Sequence, residues 1–165
     1  MGDYIYRQAD PKTNHIRWGC FSTVGRSGCG AVAAYNIAVA LGKDPDFLQL
    51  VKEMEQKHLP SFGGRFGMNS IRLKLWLQRK FGRADMYFFN SEDWERKCRS
   101  CRAVVILYKN KGLFKGNHFI SGVRQEEKFV FYNTGLLPRD TAVTMDEALL
   151  RLKKAGNFPW IMIVV

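Results

Sequence analysis

Gly28-Cys29-Gly30-Ala31-Val32-Ala33-Ala34 opens an apolar, alanine-rich run that continues to Leu41 and stops at Gly42. The spacing predicts a helix from about residue 29 to residue 41, with glycine as its C-terminal stop. Ala31, Ala33, Ala34, Ala38 and Ala40 make that helix slim. Small side chains let neighbouring backbone approach closely, so the run predicts a central helix pressed against a sheet. Its first residue is a cysteine. Unpaired N–H groups at a helix start carry partial positive charge, which lowers a thiol's pKa and favours the nucleophilic thiolate.

The rest of the chain supplies partners for such a helix. Asp44 with Pro45 predicts the start of a second helix, with Phe47, Leu48, Val51 and Met54 on one side. Residues 59–67 are glycine-rich and read as a surface loop. Asn69 predicts the cap of a third helix that carries Ile71, Leu75 and Trp76 and closes at Gly82. A strand is expected at residues 84–89, then a helix from near Ser91, with residues 94–102 basic and helical. Strands follow at 103–108, 118–123 and 128–133, the last two joined by the polar connection Arg124-Gln125-Glu126-Glu127. Thr144-Met145-Asp146-Glu147 is a capping-box pattern for a last helix, and residues 160–165 read as a final strand. Helices gather in the first half and strands in the second, which predicts an α+β domain with an antiparallel sheet. At 165 residues and 46% hydrophobic, one globular domain spanning 1–165 accounts for the length.

Composition narrows the function classes. No uninterrupted apolar stretch reaches about 18 residues, which excludes a membrane-spanning helix. The N-terminus lacks an apolar signal core with a small-residue cleavage site, so a cytoplasmic location is expected. Four cysteines do not make a disulfide scaffold in a chain of this size. Cys98-x-x-Cys101 is the one close pair; a zinc site there would need two further ligands from Cys20, His15 or His58, and a structural role is expected instead. The net charge of +11 is clustered: Arg72, Lys74, Arg79, Lys80 and Arg83, then Arg96, Lys97, Arg99 and Arg102, then Lys109, Lys111 and Lys115. Such a surface would attract an acidic partner or nucleic acid, or serve solubility alone.

Three segments carry the chemistry. Ser27-Gly28-Cys29-Gly30-Ala31-Val32-Ala33-Ala34 opens a helix, Gly116-Asn117-His118-Phe119-Ile120-Ser121-Gly122 starts a strand, and Phe129-Val130-Phe131-Tyr132-Asn133 ends the next. In that order they resemble the papain-like cysteine peptidases, and within them the bacterial double-glycine, bacteriocin-leader peptidase branch. The resemblance implies a papain-like fold whose nucleophile helix packs on a C-terminal antiparallel sheet. It implies Cys29 as nucleophile, His118 as general base and then acid, and Asn133 as the group that orients His118. That chemistry needs no cofactor and no metal, and its substrate is a peptide or isopeptide (amide) bond in a peptide or protein. The family places a glutamine six residues before the cysteine, where it helps hold the oxyanion; here that position is Thr23. Losing one oxyanion donor can cost about 3 kcal/mol of transition-state stabilisation. The role passes to the Cys29 N–H together with Thr23, Ser22 or Asn14. A rival expectation, motivated by Thr23, is a weak or inactive relative that binds an acidic partner or nucleic acid through its basic face.

Overall fold

The computed structural model describes residues 3–89, 94–111, 116–137 and 140–165. Its centre is α2, Cys29–Ala40, in which every residue from Cys29 to Val39 is buried. A helix apolar on all sides cannot lie on a surface and must be enclosed by other elements. Strands β4 (Ala103–Lys109) and β5 (Asn117–Gln125) pass beneath it, and α3 (Phe47–Gln56) and α4 (Ser70–Phe81) pack beside it.

A five-stranded antiparallel sheet forms the floor. Its strands are β3 (Asp85–Phe88), β4, β5, β6 (Lys128–Tyr132) and β7 (Phe158–Val164), in the order β3-β7-β4-β5-β6. This architecture is α+β. Side chains alternate across a strand, and in β4 both sets are buried. Ala103, Val105 and Leu107 face the core that contains α2; Val104, Ile106 and Tyr108 face a second core. That second core is closed by Trp94 of α5 (Trp94–Lys97) and by Ala148, Leu149 and Leu152 of α6 (Met145–Lys154). The sheet is therefore covered on both faces. A register shift between Leu107 and Tyr108 falls where β7 presents Pro159, which has no N–H to give the ladder.

The N-terminal segment is fastened to α2 by one buried polar residue. Asn36 Oδ1 accepts the Ile5 N–H (2.9 Å), and its Nδ2 donates to Ile5 O (3.0 Å) and to Ser121 Oγ on β5 (3.1 Å). Residues 17–27 add a two-stranded hairpin, β1 (Arg17–Trp18) with β2 (Ser22–Thr23), and the single turn α1 (Val24–Ser27).

Several local expectations need revision. The N-cap of α3 is Asp46, whose side chain accepts Gln49 N–H at 2.7 Å, not Asp44. The buried residues of α3 are Leu50, Val51 and Met54, and Leu48 is exposed. In α4 the Asn69 cap and the left-handed Gly82 stop stand as read, but the buried residues are Leu73, Trp76 and Leu77, with Ile71 and Leu75 exposed. Residues 94–102 are not one helix: α5 ends at Lys97 and a turn follows. The expected start near Ser91 lies outside the described residues, as does Lys115. Within the loop 59–67, Ser61–Gly64 form a 3-10 turn that packs on the hairpin, where a Cβ on Gly64 would stand 2.1 Å from Trp18 O.

Asn36 links three segments, so its loss should be costly. Asn36→Ala leaves the Ile5 amide, the Ile5 carbonyl and Ser121 without this partner, and should destabilise the domain by about 2–4 kcal/mol at roughly 1 kcal/mol per lost bond plus desolvation. A lowered urea midpoint at unchanged slope is the expected readout.

Candidate active site

The Cys29 thiol is set by the break between α1 and α2. Gly28 N–H donates to Val24 O (2.8 Å) to close α1, and Gly28 O then accepts Ala31 N–H (3.0 Å) to begin α2. A Cβ at residue 28 would lie 2.5 Å from Val24 Cα, so the tight junction requires glycine. Cys29 is thus the first helical residue and is buried, and its own N–H is one of the amides at a helix start with no carbonyl a turn behind it in the helix.

His118 enters from the start of β5, opposite Tyr108 of β4. Because α2 lies across β5, the half-buried imidazole comes within hydrogen-bonding reach of the Cys29 thiol. Its Nε2 stands 2.6 Å from the backbone oxygen of Asn133. A carbonyl can only accept, so Nε2 carries a proton and Nδ1 remains to exchange a proton with the thiol.

Asn133 follows β6 with φ +62°, the left-handed region that asparagine tolerates better than most residues. This turn aims its carbonyl at His118. Its side-chain amide does not touch the imidazole, contrary to the expected mode of orientation. Asn133 Oδ1 accepts Gln8 N–H (2.8 Å) and Nδ2 donates to Phe119 O (3.1 Å), while Asn133 N–H donates to Tyr6 O (2.8 Å). The residue is buried with its amide engaged at both ends.

Electrostatics couple the sulfur to the ring. Burial pushes the Cys29 thiol up, but the hydrogen bond and charge of His118, with backbone hydrogen bonds from Phe119 and Gly30, outweigh it and hold the pKa below its ordinary 9.0. Burial pushes His118 down, and the hydrogen bond to Cys29, the thiolate charge and the Asn133 carbonyl reverse this, raising it above 6.5. Both shifts favour a thiolate–imidazolium pair.

The three candidate oxyanion residues stand differently. Ser27 Oγ donates to Gly64 O (2.5 Å), so the 2.6 Å contact between the Ser22 and Ser27 hydroxyls uses the Ser22 proton. Ser22 therefore has no donor to spare. Asn14 Nδ2 is directed at Ala9 O (3.4 Å). Thr23 is the half-buried residue before α1, and its side chain caps no helix amide.

Two further residues border the site. The Tyr108 ring meets the His118 ring edge-on at 5.5 Å between centroids. Burial, with a smaller contribution from the Cys29 charge, pushes its phenol up to about 12 despite a hydrogen bond with Thr134. Gln8 bridges the two halves of the site: its N–H meets Asn133, and its Nε2 donates to Gly25 O (3.0 Å), in the turn before Cys29. Tyr108 could be found only by knowing the β4–β5 register. Gln8 lies in a segment without periodicity, and nothing in the sequence marked it.

His15, His58 and Cys20 are exposed. Among the described residues no group of three or more His, Cys, Asp or Glu side chains could hold a metal ion, and no helix is long and apolar enough to cross a membrane. No family model, curated protein or solved structure significantly matches the chain.

The rate of Cys29 alkylation by iodoacetamide, followed against pH, should rise at a pH below that of an ordinary thiol. His118→Gln removes the opposing charge while burial persists, so the onset should move upward. Asn133→Gly keeps the left-handed turn and the carbonyl; it should cost about 1–3 kcal/mol of stability through its lost side-chain bonds but leave the onset at the wild-type pH. A shift in Asn133→Gly as large as that in His118→Gln would mean that the side chain, not the carbonyl, orients the ring.

Proposed function

We propose that this chain is a papain-like cysteine hydrolase that cleaves a peptide or isopeptide (amide) bond. The observation that carries the reading is the Cys29 thiol at a helix start, paired with an imidazole whose far nitrogen is fixed 2.6 Å from the Asn133 carbonyl. The order of the three residues along the chain supports the same reading.

In this mechanism the Cys29 thiolate attacks the scissile carbonyl carbon, and the oxygen takes the negative charge. In this reading the Cys29 N–H, at the positive end of α2, donates to that oxygen. As the tetrahedral species collapses, His118 Nδ1–H protonates the departing amine, leaving a thioester on Cys29. Water then gives its proton to Nδ1 and attacks the thioester, which releases the acid and restores the thiol–imidazole pair. The Asn133 carbonyl keeps Nε2 protonated throughout, so Nδ1 alone exchanges protons. A neutral carbonyl stabilises the imidazolium less than a carboxylate would.

A second reading, a binding module for an acidic partner, is supported by a groove of about 490 Å³ between α3 and α4. Lys57, Arg72, Arg79 and Lys80 surround Leu75 and Trp76 there. The one carboxylate in the lining, Glu53, already accepts the Trp76 indole N–H (3.0 Å) and pairs with Lys80. Binding of an acidic peptide that weakens with salt and with Arg79→Glu, and persists in Cys29→Ala, is the outcome expected of this surface.

For the catalytic reading, a thiol-directed acyl probe at neutral pH should label wild-type protein and not Cys29→Ala. Hydrolysis of a peptide-amide library should vanish in Cys29→Ala and fall by about 10²–10⁴-fold in His118→Ala. Undiminished labelling or cleavage in Cys29→Ala would remove Cys29 from the mechanism.

A further inference from the structure

A second sulfur centre lies at the far end of the same strand pair. Cys98 and Cys101 flank a turn that follows α5 and is closed by Cys101 N–H donating to Cys98 O (3.2 Å). Turns of this kind hold the first and fourth Cα within about 7 Å, and disulfides span roughly 4.4–6.8 Å between Cα atoms. Each thiol donates to a backbone carbonyl of this same turn of chain, Cys98 Sγ to Glu95 O (3.3 Å) and Cys101 Sγ to Cys98 O (3.1 Å). Bond formation between them thus needs side-chain rotation and no large movement of the backbone.

Arg124 of β5 clasps this turn. Its Nε donates to Cys101 O (2.7 Å), one terminal nitrogen donates to Cys98 O, and the other donates to Glu126 O (2.9 Å). The guanidinium lies over the Phe129 ring, 4.8 Å from its centroid, and its positive charge lowers the Cys101 thiol. All three of these carbonyl contacts are to backbone and survive a change in the sulfur atoms. The Cys101 thiol is lowered by its coupling to Cys98 and by Arg124, against the effect of burial, while Cys98 is raised by the same coupling.

Exposure decides the co-reactant. Cys98 is fully buried and Cys101 is 8% exposed. That opening suits a hydroperoxide of few atoms better than a bulky disulfide. Zinc is not favoured, since these two thiols belong to no metal-capable group among the described residues.

We propose that Cys98 and Cys101 form a reversible dithiol–disulfide site oxidised by hydrogen peroxide, with Cys101 as the attacking sulfur and Cys98 as the resolving one. The Cys101 thiol ionises and its thiolate attacks one peroxide oxygen; the O–O bond breaks, and the departing hydroxide takes up the proton that the thiol released and leaves as water, giving a sulfenic acid on Cys101. The Cys98 thiol then attacks the Cys101 sulfur; the S–O bond breaks, and the hydroxide combines with the Cys98 proton as a second water. Two thiols and one hydrogen peroxide become one disulfide and two waters, the sulfurs oxidised and the peroxide oxygens reduced. An external dithiol reverses the step by exchange. The register Ala103↔Val123 at this end and Tyr108↔His118 at the other puts about five residues of strand, roughly 17 Å, between this site and the Cys29 pair. The two sulfur centres therefore act separately.

Peptide mass mapping of wild-type protein after hydrogen peroxide tests this without a variant. The segment containing Cys98 and Cys101 should lose the mass of two hydrogens and regain it with dithiothreitol. In Cys98→Ser, a dione trap should label Cys101 as sulfenic acid; in Cys101→Ser, Cys98 should remain unlabelled. Both thiols staying freely alkylatable under peroxide that oxidises Cys29 would overturn the proposal. Equal trapping of Cys98 in Cys101→Ser would overturn the assignment of Cys101 as attacker. Neither result bears on the acyl-probe labelling of Cys29, so this proposal and the hydrolase reading fail independently.

Discussion

Everything in this domain follows from enclosing α2. A twelve-residue helix with no polar face has to be surrounded, and its alanines set how close the surroundings come. The sheet supplies β4 and β5 beneath it, and α3 and α4 flank it. Because the helix enters that enclosure at its N-terminus, Cys29 is buried while its own N–H has no carbonyl a turn behind it in the helix. The same packing brings the start of β5 to the thiol. The position of His118 relative to Cys29 is therefore a consequence of core packing, and the one buried polar residue in the helix middle, Asn36, is fully used in tying down the N-terminal segment and β5.

Asn133 separates two roles that a single side chain is often asked to combine. Its amide joins the 6–8 segment to β5 through Gln8 and Phe119, and its carbonyl holds the imidazole. Orientation of His118 then depends on backbone conformation at φ +62°, and the side chain contributes by stabilising that conformation. Residues with a bulky or β-branched side chain would disfavour the left-handed turn and would act on His118 without ever having touched it. Gln8 extends this arrangement to Gly25, so the loop bearing Asn133 and the turn preceding Cys29 are held by one intervening residue.

The parts of the fold legible in the sequence are those fixed by local chemistry. Glycine at 42 and 82, asparagine at 69 and threonine at 144 each act within a few residues of themselves, and each stands at the helix end the sequence placed it. The misreadings share a cause. Asp44 and Asp46 are both competent caps, and it is Asp46 whose side chain holds a helix amide; which faces of α3 and α4 are buried is set by their packing against α2, a long-range contact. Residues 94–102 had helical composition, but the turn at Cys98 and Arg124's hold on its carbonyls end the helix early. Cys29, His118 and Asn133 could be named as candidates from sequence because their three segments, each beside a recognisable element boundary, resemble in order a known family pattern. That a carbonyl, not an amide, meets the imidazole depends on one backbone angle and left no trace in residue identity.

The β4–β5 pair delivers a nitrogen base to a sulfur at each end, and the difference between the bases matters. At one end the imidazole of His118 can lose its proton, so charge on Cys29 can be handed back and forth within a catalytic cycle. At the other end the guanidinium of Arg124 does not deprotonate in the accessible range, so whatever negative charge Cys101 gains keeps its counter-ion. A thiolate with a titrating partner suits proton transfer to a leaving group. A thiolate with a permanent cation and a second cysteine across one turn suits sulfur–sulfur bond formation. Burial disfavours both thiolates, and in each case a cation-bearing residue of β5 works against it, at one end of the strand His118 and at the other Arg124, the latter together with Cys98.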